Sequence, residues 1–262
     1  MAKRKIKDSR AVVTGASSGI GREIARELAA QEAAVVAVAR RADRLRALVE
    51  QITRDGGRAE MVAGDITDPM VQLGAVQKAQ EAFGGLDILV NNAGIGAVGL
   101  FEDADAGRLR KLMDVNFFAL AEMTRLALPF LKMGNRPIVV NVSSVFGHRG
   151  APFHSEYCAS KFAVQGFSEA VRAELGKHGI QVMVVSPGTT ATEFSEHVIQ
   201  RTAEPNWPKH QPISAEEVAR RTVRAMRRGK HEIIPYKWGK VFCWLNRFSP
   251  RLTDWVMARY VR

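Results

Sequence analysis

The sequence contains few cysteines and no long apolar run. Only Cys158 and Cys243 occur among 262 residues, and they show no metal-ligand spacing. No stretch approaches the roughly 20 apolar residues of a membrane-spanning helix. The first ten residues are basic and polar and lack the apolar stretch of a secretory signal. These absences predict a protein of the reducing cytoplasm, without a targeting segment.

Acidic residues are also scarce relative to basic ones, and the formal net charge is +11. From Arg224 onward, ten Lys and Arg stand against Glu232 and Asp254, so this end carries +8 of that excess. A basic surface attracts phosphates, acidic membranes or nucleic acid, or it serves solubility. No DNA- or RNA-reading motif is present, so no nucleic-acid partner is expected.

Short β-branched runs alternate with segments of helical apolar spacing, and the 46% hydrophobic content supports one sizeable core. The predicted strands cover 11–14, 35–39, 59–63, 88–90, 138–142 and 182–185. The predicted helices cover 20–30, 42–54, 70–83, 109–131 and 155–177. This alternation predicts an α/β doubly wound parallel sheet, the Rossmann fold, in a single domain. We assign 1–236 to this domain and 237–262 to a basic amphipathic extension.

A glycine-rich loop, Thr14-Gly15-Ala16-Ser17-Ser18-Gly19-Ile20-Gly21, follows the first strand and opens the first helix. Glycines let a backbone approach a pyrophosphate, and a helix N-terminus supplies free N–H groups and a positive dipole end. A lone glycine-rich turn is weak evidence, but here the strand–turn–helix context is right. The loop predicts cofactor contacts at Gly15, Ser17, Ser18, Gly19, Ile20 and Gly21.

With three further motifs, this loop resembles the short-chain dehydrogenase/reductase family over roughly Ser9 to Ile234. The motifs are Asn91-Asn92-Ala93-Gly94, Tyr157-Cys158-Ala159-Ser160-Lys161, and Pro187-Gly188 with Thr192 shortly after. The resemblance implies an oxidoreductase that interconverts a carbonyl and a secondary alcohol on a small molecule with a nicotinamide cofactor. It also implies a homo-oligomer, a dimer or a tetramer.

The resemblance implies further cofactor contacts. Asp65 and Ile66 would contact the adenine, although a helix cap is an alternative role for Asp65. The central turn and the nicotinamide side would contribute Asn92, Ala93, Gly94, Pro187, Gly188, Thr190 and Thr192.

The end of the second strand predicts NADP(H) rather than NAD. NAD-binding folds place an acid there for the ribose 2′-hydroxyl, whereas this chain has Ala39 followed by Arg40 and Arg41. A guanidinium binds phosphate through its planar fork. We therefore expect Arg40 to hold the 2′-phosphate and Arg41 to assist, the alternative being two solvated arginines at a helix start. Relatives often carry Lys or Arg where Ser18 stands, so the strictness of the preference stays open.

Tyr157 and Lys161 are four residues apart and share one helix face. Tyrosine has an ordinary pKa of about 10, and a nearby cation lowers it. The resemblance makes Tyr157 the acid/base, while Lys161 lowers its pKa and holds the nicotinamide ribose. The spacing alone is weak evidence, because Tyr236 and Lys240 repeat it.

A serine distinguishes the two tyrosines. Ser144 lies thirteen residues before Tyr157, whereas Val223 holds that position relative to Tyr236. A serine hydroxyl there can hold the substrate oxygen. Asn116 matches the asparagine that links Lys161 to solvent through water.

The predicted substrate lid spans Thr189 to Pro212. Apolar residues in the lid and near the motifs predict a mainly apolar substrate, unless they pack the core: Phe146, Phe153, Phe194, Val198, Ile199 and Trp207. His148 and His154 lack a third ligand, so no metal site is expected.

The extension after Tyr236 has aromatic and apolar residues at helical spacing, and Ser249-Pro250 reads as a cap and first helical residue. The pattern leaves three roles open: peripheral membrane contact, a subunit interface, or a pocket cover. At the level of the whole chain, an enzyme competes with a catalytically idle dinucleotide sensor and a membrane-associated scaffold. A sensor is expected to lose Ser144, Tyr157 or Lys161, and all three are present.

Overall fold

The structure, a computed structural model, describes residues 4–195, 198–205 and 211–260. Seven strands form one parallel sheet in the order β3-β2-β1-β4-β5-β6-β9, and a small pair, β7 and β8, lies apart. The strands are β1 Arg10–Thr14, β2 Ala34–Ala39, β3 Arg58–Ala63, β4 Ile88–Asn91, β5 Ile138–Val142, β6 Gln181–Val185, β7 Thr190–Ala191, β8 Ile213–Ser214 and β9 Glu232–Ile233.

Helices flank both faces of the sheet. They are α1 Gly19–Ala30, α2 Ala42–Arg54, α3 Pro69–Phe83, α4 Arg108–Met113, α5 Ala119–Lys132, α6 Ser155–Gly176, α7 Ala215–Arg227, α8 Lys237–Phe248 and α9 Pro250–Ala258. The doubly wound parallel sheet predicted from the sequence is confirmed. Except for the segment 109–131, the predicted bounds agree with the structure to within one residue.

The sheet is buried on both faces, which explains why its strands read as continuous apolar runs. Side chains of a strand alternate between faces. In β1, Ala11 and Val13 therefore join one apolar cluster, with α1, α2 and α7, while Val12 joins the other, with α3 and α5.

The predicted helix 109–131 is interrupted, which corrects the sequence-based expectation. A π-helical turn, Asp114–Phe118, separates α4 from α5. Asn116 lies in this turn, and two hydrogen bonds to the Ile95 backbone fix its side chain. Its Oδ1 accepts from the Ile95 amide at 2.8 Å, and its Nδ2 donates to the Ile95 carbonyl at 3.0 Å. A single widened turn barely changes apolar periodicity, so the pattern could not reveal it.

The chain crosses from the β3 edge back to the centre of the sheet, where β4 pairs with β1. In doubly wound folds, ligands bind beyond the carboxyl ends of the strands at such a switch point. The loops that follow β1, β4, β5 and β6 meet at this edge, so the motifs singled out from the sequence share one side of the molecule.

The C-terminal helices pack on the segment 145–149, close to that edge. A Cβ at Gly239 would lie 2.6 Å from Val145 Cγ1, and Asn246 Nδ2 donates to the His148 carbonyl at 3.2 Å. Arg149 also pairs with Asp254. Ser249 precedes α9, and Pro250 lies in the first turn of that helix. The Ser249 side chain makes no cap hydrogen bond. No helix within the described residues is long and apolar enough to cross a membrane.

Candidate active site

The phosphate loop packs tightly on the turn that follows β4. Gly15 and Gly19 adopt φ values of 67° and 53°, which favour glycine. At Gly21, a Cβ would lie 2.3 Å from Asn92 Nδ2 and 2.5 Å from the Gly15 carbonyl oxygen. The first turn of α1 contains no acidic residue, so the positive end of this helix faces the cleft without a neutralising carboxylate of its own turn.

Thr14 joins the ends of β1 and β4. Its Oγ1 accepts from the amides of Asn92 and Ala93 at 3.0 and 3.1 Å, and Asn92 Nδ2 donates to the Thr14 carbonyl at 3.0 Å. Deeper in the sheet, Asn91 Nδ2 donates to Asn141 Oδ1 at 2.9 Å. The Asn-Asn-Ala-Gly motif thus has a structural explanation, since it fastens the phosphate loop to the central strand.

Lys161, Asn116 and Gly94 come together from three separate segments. A Cβ at Gly94 would lie 3.2 Å from Asn116 Oδ1 and 3.5 Å from Lys161 Nζ. Lys161 is 4% exposed, and its Nζ donates to the Val142 carbonyl at 3.1 Å. Asn116 Nδ2 also donates at 2.9 Å to the hydroxyl of Ser160, one residue before Lys161.

The Ser144 hydroxyl lies close enough to Tyr157 to lower its pKa, so the predicted pair meets in space. Lys161 Nζ lies 5.7 Å from the centroid of the Tyr157 ring. Burial raises the pKa of Tyr157 well above its ordinary value, and the nearby Ser144 hydroxyl opposes this only in part. Burial lowers the pKa of Lys161 to about 8. Near neutral pH these directions leave the tyrosine as a neutral proton donor beside a largely charged lysine.

The second Tyr-x-x-x-Lys pair lies in different surroundings. Tyr236 precedes α8 and is 8% exposed, and its hydroxyl has no hydrogen-bond partner among the described residues. Its ring packs behind Gly188, where a Cβ would lie 2.4 Å from Tyr236 Cδ1. Val223, thirteen residues earlier, belongs to the apolar core. Tyr236 is therefore part of the wall behind Pro187-Gly188.

The residues expected near the nicotinamide follow β6, at the same edge of the sheet. The Pro187 carbonyl accepts from the Val145 amide at 2.9 Å, and Thr190 Oγ1 donates to the Gly188 carbonyl at 3.0 Å. Thr192 reaches across to the phosphate loop, where its Cγ2 lies 3.1 Å from a Cβ placed at Gly19.

At the adenosine side, Arg41 rather than Arg40 faces the phosphate loop. Arg41 Nη2 donates to the Ser18 hydroxyl at 2.7 Å and to the Ser17 hydroxyl at 3.1 Å, whereas Arg40 is exposed. Sequence reasoning missed Arg44, three residues after Arg41 and therefore on the same face of α2.

The acidic residue at the end of β3 does not cap a helix. Asp65 Oδ1 accepts from the amide and hydroxyl of Thr67, while Asp68 caps α3 by accepting from the Met70 amide. The cap alternative for Asp65 is therefore wrong. Ile66 beside it is buried in the core.

Two aromatic rings flank Tyr157. The centroids of Phe146 and Phe194 lie 6.4 and 5.9 Å from that of Tyr157. The Ile199 amide donates to the Gly96 carbonyl at 2.8 Å, which ties this end of the predicted lid to the loop after β4. Trp207 lies outside the described residues.

The two histidines between Ser144 and Tyr157 have other partners. His148 Nε2 lies 2.8 Å from Glu232 Oε1 and 3.2 Å from the Ser186 hydroxyl, and His154 Nδ1 lies 3.0 Å from the Pro152 carbonyl. Within the described part of the chain, no three His, Cys, Asp or Glu side chains are grouped so that they could hold a metal ion.

Comparison with known proteins gives the same picture as the motifs. The model of the short chain dehydrogenase family matches residues 9–203. The chain is 35% identical over 257 residues to 11-beta-hydroxysteroid dehydrogenase A of Sesamum indicum. This alignment covers 94% of this chain and 73% of that protein. The first curated relatives are matched over 62% to 83% of their own length.

Two solved structures share the fold. A short-chain dehydrogenase from Burkholderia cenocepacia in complex with NADP is 31% identical, with a TM-score of 0.78, over 88% of this chain and 97% of that one. A short-chain dehydrogenase/reductase from Burkholderia phymatum in complex with NAD is 23% identical, with a TM-score of 0.86, over 95% and 96%. The chain therefore belongs to the short-chain dehydrogenase family of oxidoreductases.

Proposed function

We propose that this chain is an NADP(H)-dependent oxidoreductase that interconverts a carbonyl and a secondary alcohol on a mainly apolar small molecule. The observation that carries the proposal is the meeting of Tyr157, Ser144, Lys161 and Asn116 at the carboxyl edge of the sheet, with Lys161 Nζ 5.7 Å from the centroid of the Tyr157 ring. Residues from the loop after β5, from α6 and from the π-helical turn come together there.

The polar groups around Tyr157 fit the protonation half of such a reaction. The Ser144 hydroxyl holds the substrate oxygen and stabilises the charge that develops on it. The Tyr157 hydroxyl gives its proton to that oxygen during reduction and takes it back during oxidation. Lys161, charged below about pH 8, favours the phenolate left on Tyr157. Asn116 positions this helix segment through Ser160.

The switch-point cleft fits a dinucleotide, which would supply the hydride. Gly15, Gly19 and Gly21 keep the phosphate loop free of side chains where it faces the helix N-terminus. Lys161 and the turn at Asn92 would contact the ribose, while Pro187 and Gly188 would flank the nicotinamide. The remaining proposed contacts are Ser17, Ser18, Ile20, Arg41, Asp65, Ile66, Ala93, Gly94, Thr190 and Thr192; the exposed Arg40 is not among them.

The preference for NADP(H) rests on the guanidinium groups after β2. Relatives often carry a basic residue at the position of Ser18 in the phosphate loop. In this chain, Arg41 donates a hydrogen bond to the Ser18 hydroxyl, so the Arg41 guanidinium supplies the positive charge at this place. A 2′-phosphate would meet Arg41 and Arg44, and no carboxylate at the end of β2 repels it. The NADP-bound Burkholderia cenocepacia relative, 31% identical, supports this assignment.

The apolar substrate class rests on the rings of Phe146 and Phe194 beside Tyr157. Similarity to a protein named 11-beta-hydroxysteroid dehydrogenase A favours ring or chain ketones of lipid character. The test is an NADPH-oxidation screen over steroid, retinoid and acyl-chain ketones, with short hydrophilic ketones as controls. Turnover confined to the hydrophilic controls would contradict the apolar assignment.

We also propose that α8 and α9 bring the enzyme to anionic membrane surfaces. Their outward side, which we call the tail face, exposes Trp238, Val241, Trp244, Phe248, Leu252 and Trp255 between Lys237, Lys240, Arg247, Arg251 and Arg259. Aromatic and basic side chains suit the headgroup region of a bilayer. The one acid in these helices, Asp254, is paired with Arg149. We propose that the enzyme is a cytoplasmic dimer or tetramer. If two tail faces met about a twofold axis, their basic residues would repel each other. The tail face is therefore disfavoured as the subunit interface.

Co-sedimentation with phosphatidylserine-containing vesicles tests the tail face. We expect binding at low salt that weakens as salt rises, since each basic residue contributes about 1 kcal/mol near an anionic surface. The variant Trp244→Ser/Phe248→Ser should lose most of the binding that remains at high salt. Neutral phosphatidylcholine vesicles are the control, and equal sedimentation with both vesicles would contradict the electrostatic part.

A further inference from the structure

Glu193 lies where the substrate-side segment meets the adenosine-side arginines. Its Oε2 lies 2.7 Å from Arg44 Nη1 and 3.2 Å from Arg41 Nη1, and its Oε1 lies 2.8 Å from Arg44 Nη1. Hydrogen bonding from Arg44, and then from Arg41, holds the pKa of Glu193 below its ordinary value. An ionised carboxylate therefore occupies the same two guanidinium groups that the proposed function offers to a 2′-phosphate.

The neighbours of Glu193 in the chain touch both ends of the cleft. Thr192 Cγ2 lies 3.1 Å from a Cβ placed at Gly19, in the phosphate loop. The Phe194 ring lies 5.9 Å from the ring of Tyr157, centroid to centroid. A shift of residue 193 therefore moves side chains beside the pyrophosphate loop and beside the acid/base together.

We propose that Glu193 is an internal competitor of the cofactor 2′-phosphate, so that a 2′-phosphorylated cofactor frees residues 192–194 from the arginines and repositions Phe194 beside Tyr157. Carboxylate and phosphate bind a guanidinium through the same forked geometry. Two anions on one arginine pair repel each other, so the phosphate displaces the carboxylate. A cofactor without this phosphate leaves the Glu193 contact in place.

This competition makes Glu193 a determinant of cofactor preference. It also makes the position of Phe194 beside Tyr157 depend on whether the bound cofactor has a 2′-phosphate. This inference rests on the proposed preference for NADP(H), and Glu193 is the residue that limits the strength of that preference. Because exposed ion pairs are individually weak, the expected effect on affinity is about threefold to tenfold.

Titration calorimetry with 2′,5′-ADP and 5′-AMP tests the inference on the full chain. Glu193→Gln should bind 2′,5′-ADP about threefold to tenfold more tightly than wild type and bind 5′-AMP equally. Glu204→Gln is the matched control, because it removes the same charge from the same segment but pairs with Arg201 instead. Its affinities should equal those of wild type.

Amide hydrogen exchange of residues 190–195 supplies a second readout. In wild type, 2′,5′-ADP should speed exchange in this segment, whereas 5′-AMP should leave it unchanged. In Glu193→Gln, exchange should be fast without any ligand. Unchanged exchange in both proteins would overturn the coupling between cofactor and lid.

The outcomes separate this inference from the proposal beneath it. If Arg41→Ala weakens 2′,5′-ADP binding but Glu193→Gln leaves it unchanged, only the competitor role is overturned. Equal tightening in Glu193→Gln and Glu204→Gln overturns it as well, because net charge then accounts for the effect. If wild type and Arg41→Ala bind 2′,5′-ADP equally, the NADP(H) preference fails and the competitor role fails with it.

Discussion

At the scale of residues, the proposed chemistry depends on groups whose charges are set by burial. Tyr157 is held neutral near physiological pH, and Lys161 carries a charge that its surroundings disfavour. Both directions follow from removing a titratable group from water. Catalytic sites commonly contain such groups, because function requires charges where folding alone would avoid them.

The cost of burying Lys161 predicts a stabilising substitution. Its folded pKa of about 8 lies below the ordinary lysine value of 10.5, so the unfolded chain binds more protons between these two pH values and stability rises with pH across that window. Lys161→Met should abolish turnover yet raise the free energy of unfolding at pH 7 by about 3 kcal/mol. Urea unfolding of both proteins from pH 7 to pH 10 measures this. A gain that stays constant with pH would contradict the burial argument.

Cofactor choice predicts unequal roles for three arginines. Arg41→Ala should weaken NADPH binding about tenfold to hundredfold and change NADH binding little, since charged hydrogen bonds contribute about 1.5–3 kcal/mol. Arg44→Ala should have a smaller effect in the same direction. Arg40→Ala is the matched control, because Arg40 points to solvent in the structure. A larger NADPH-specific loss in Arg40→Ala would favour the assignment made from the sequence alone.

At the scale of elements, the sequence identified six of the seven strands of the main sheet and most helices, because burial on both faces leaves a plain apolar signal; it missed the two-residue strand β9 at the edge. It also placed the phosphate loop, since a strand, a glycine turn and a helix follow one another directly. It missed the π-helical turn around Asn116 because apolar spacing barely registers one widened turn. It missed the meeting of Glu193 with Arg44 because 149 residues separate them and no periodic pattern links them.

The packing of the phosphate loop predicts opposite outcomes for two Gly→Ala changes. At Gly21, a Cβ would lie within 2.5 Å of Asn92 Nδ2 and the Gly15 carbonyl oxygen, so Gly21→Ala should push the loop off the Asn92 turn and remove dinucleotide binding. Gly74, inside α3, has no atom within 4 Å of its Cβ position. Gly74→Ala should raise the free energy of unfolding by about 0.5–1 kcal/mol. Thermal unfolding and NADPH titration measure both, and intact binding in Gly21→Ala would contradict the contact.

At the scale of the whole molecule, the cleft and the tail helices lie next to each other. The segment 145–149 joins them, since it follows Ser144 and also receives Asn246 and Asp254. An enzyme whose tail face rests on a membrane would hold its apolar cleft near lipid-like ketones. Deleting residues 241–262 should abolish vesicle binding and leave NADPH turnover of a water-soluble ketone measurable. A change of subunit number on deletion would show instead that the tail is an interface, and a change of substrate affinity alone would show that it covers the pocket.

The proposed reaction has Tyr157 exchange a proton with the substrate oxygen, and a bound nicotinamide would supply the hydride. The most direct test is single-turnover oxidation of enzyme-bound NADPH by an apolar ketone, in wild type, Tyr157→Phe and Tyr236→Phe, with NADPH affinity measured in parallel. We predict unchanged NADPH binding in all three and a loss of about 10²- to 10⁴-fold in the rate for Tyr157→Phe alone. Equal rates in wild type and Tyr157→Phe, or equal losses in the two variants, would contradict the account.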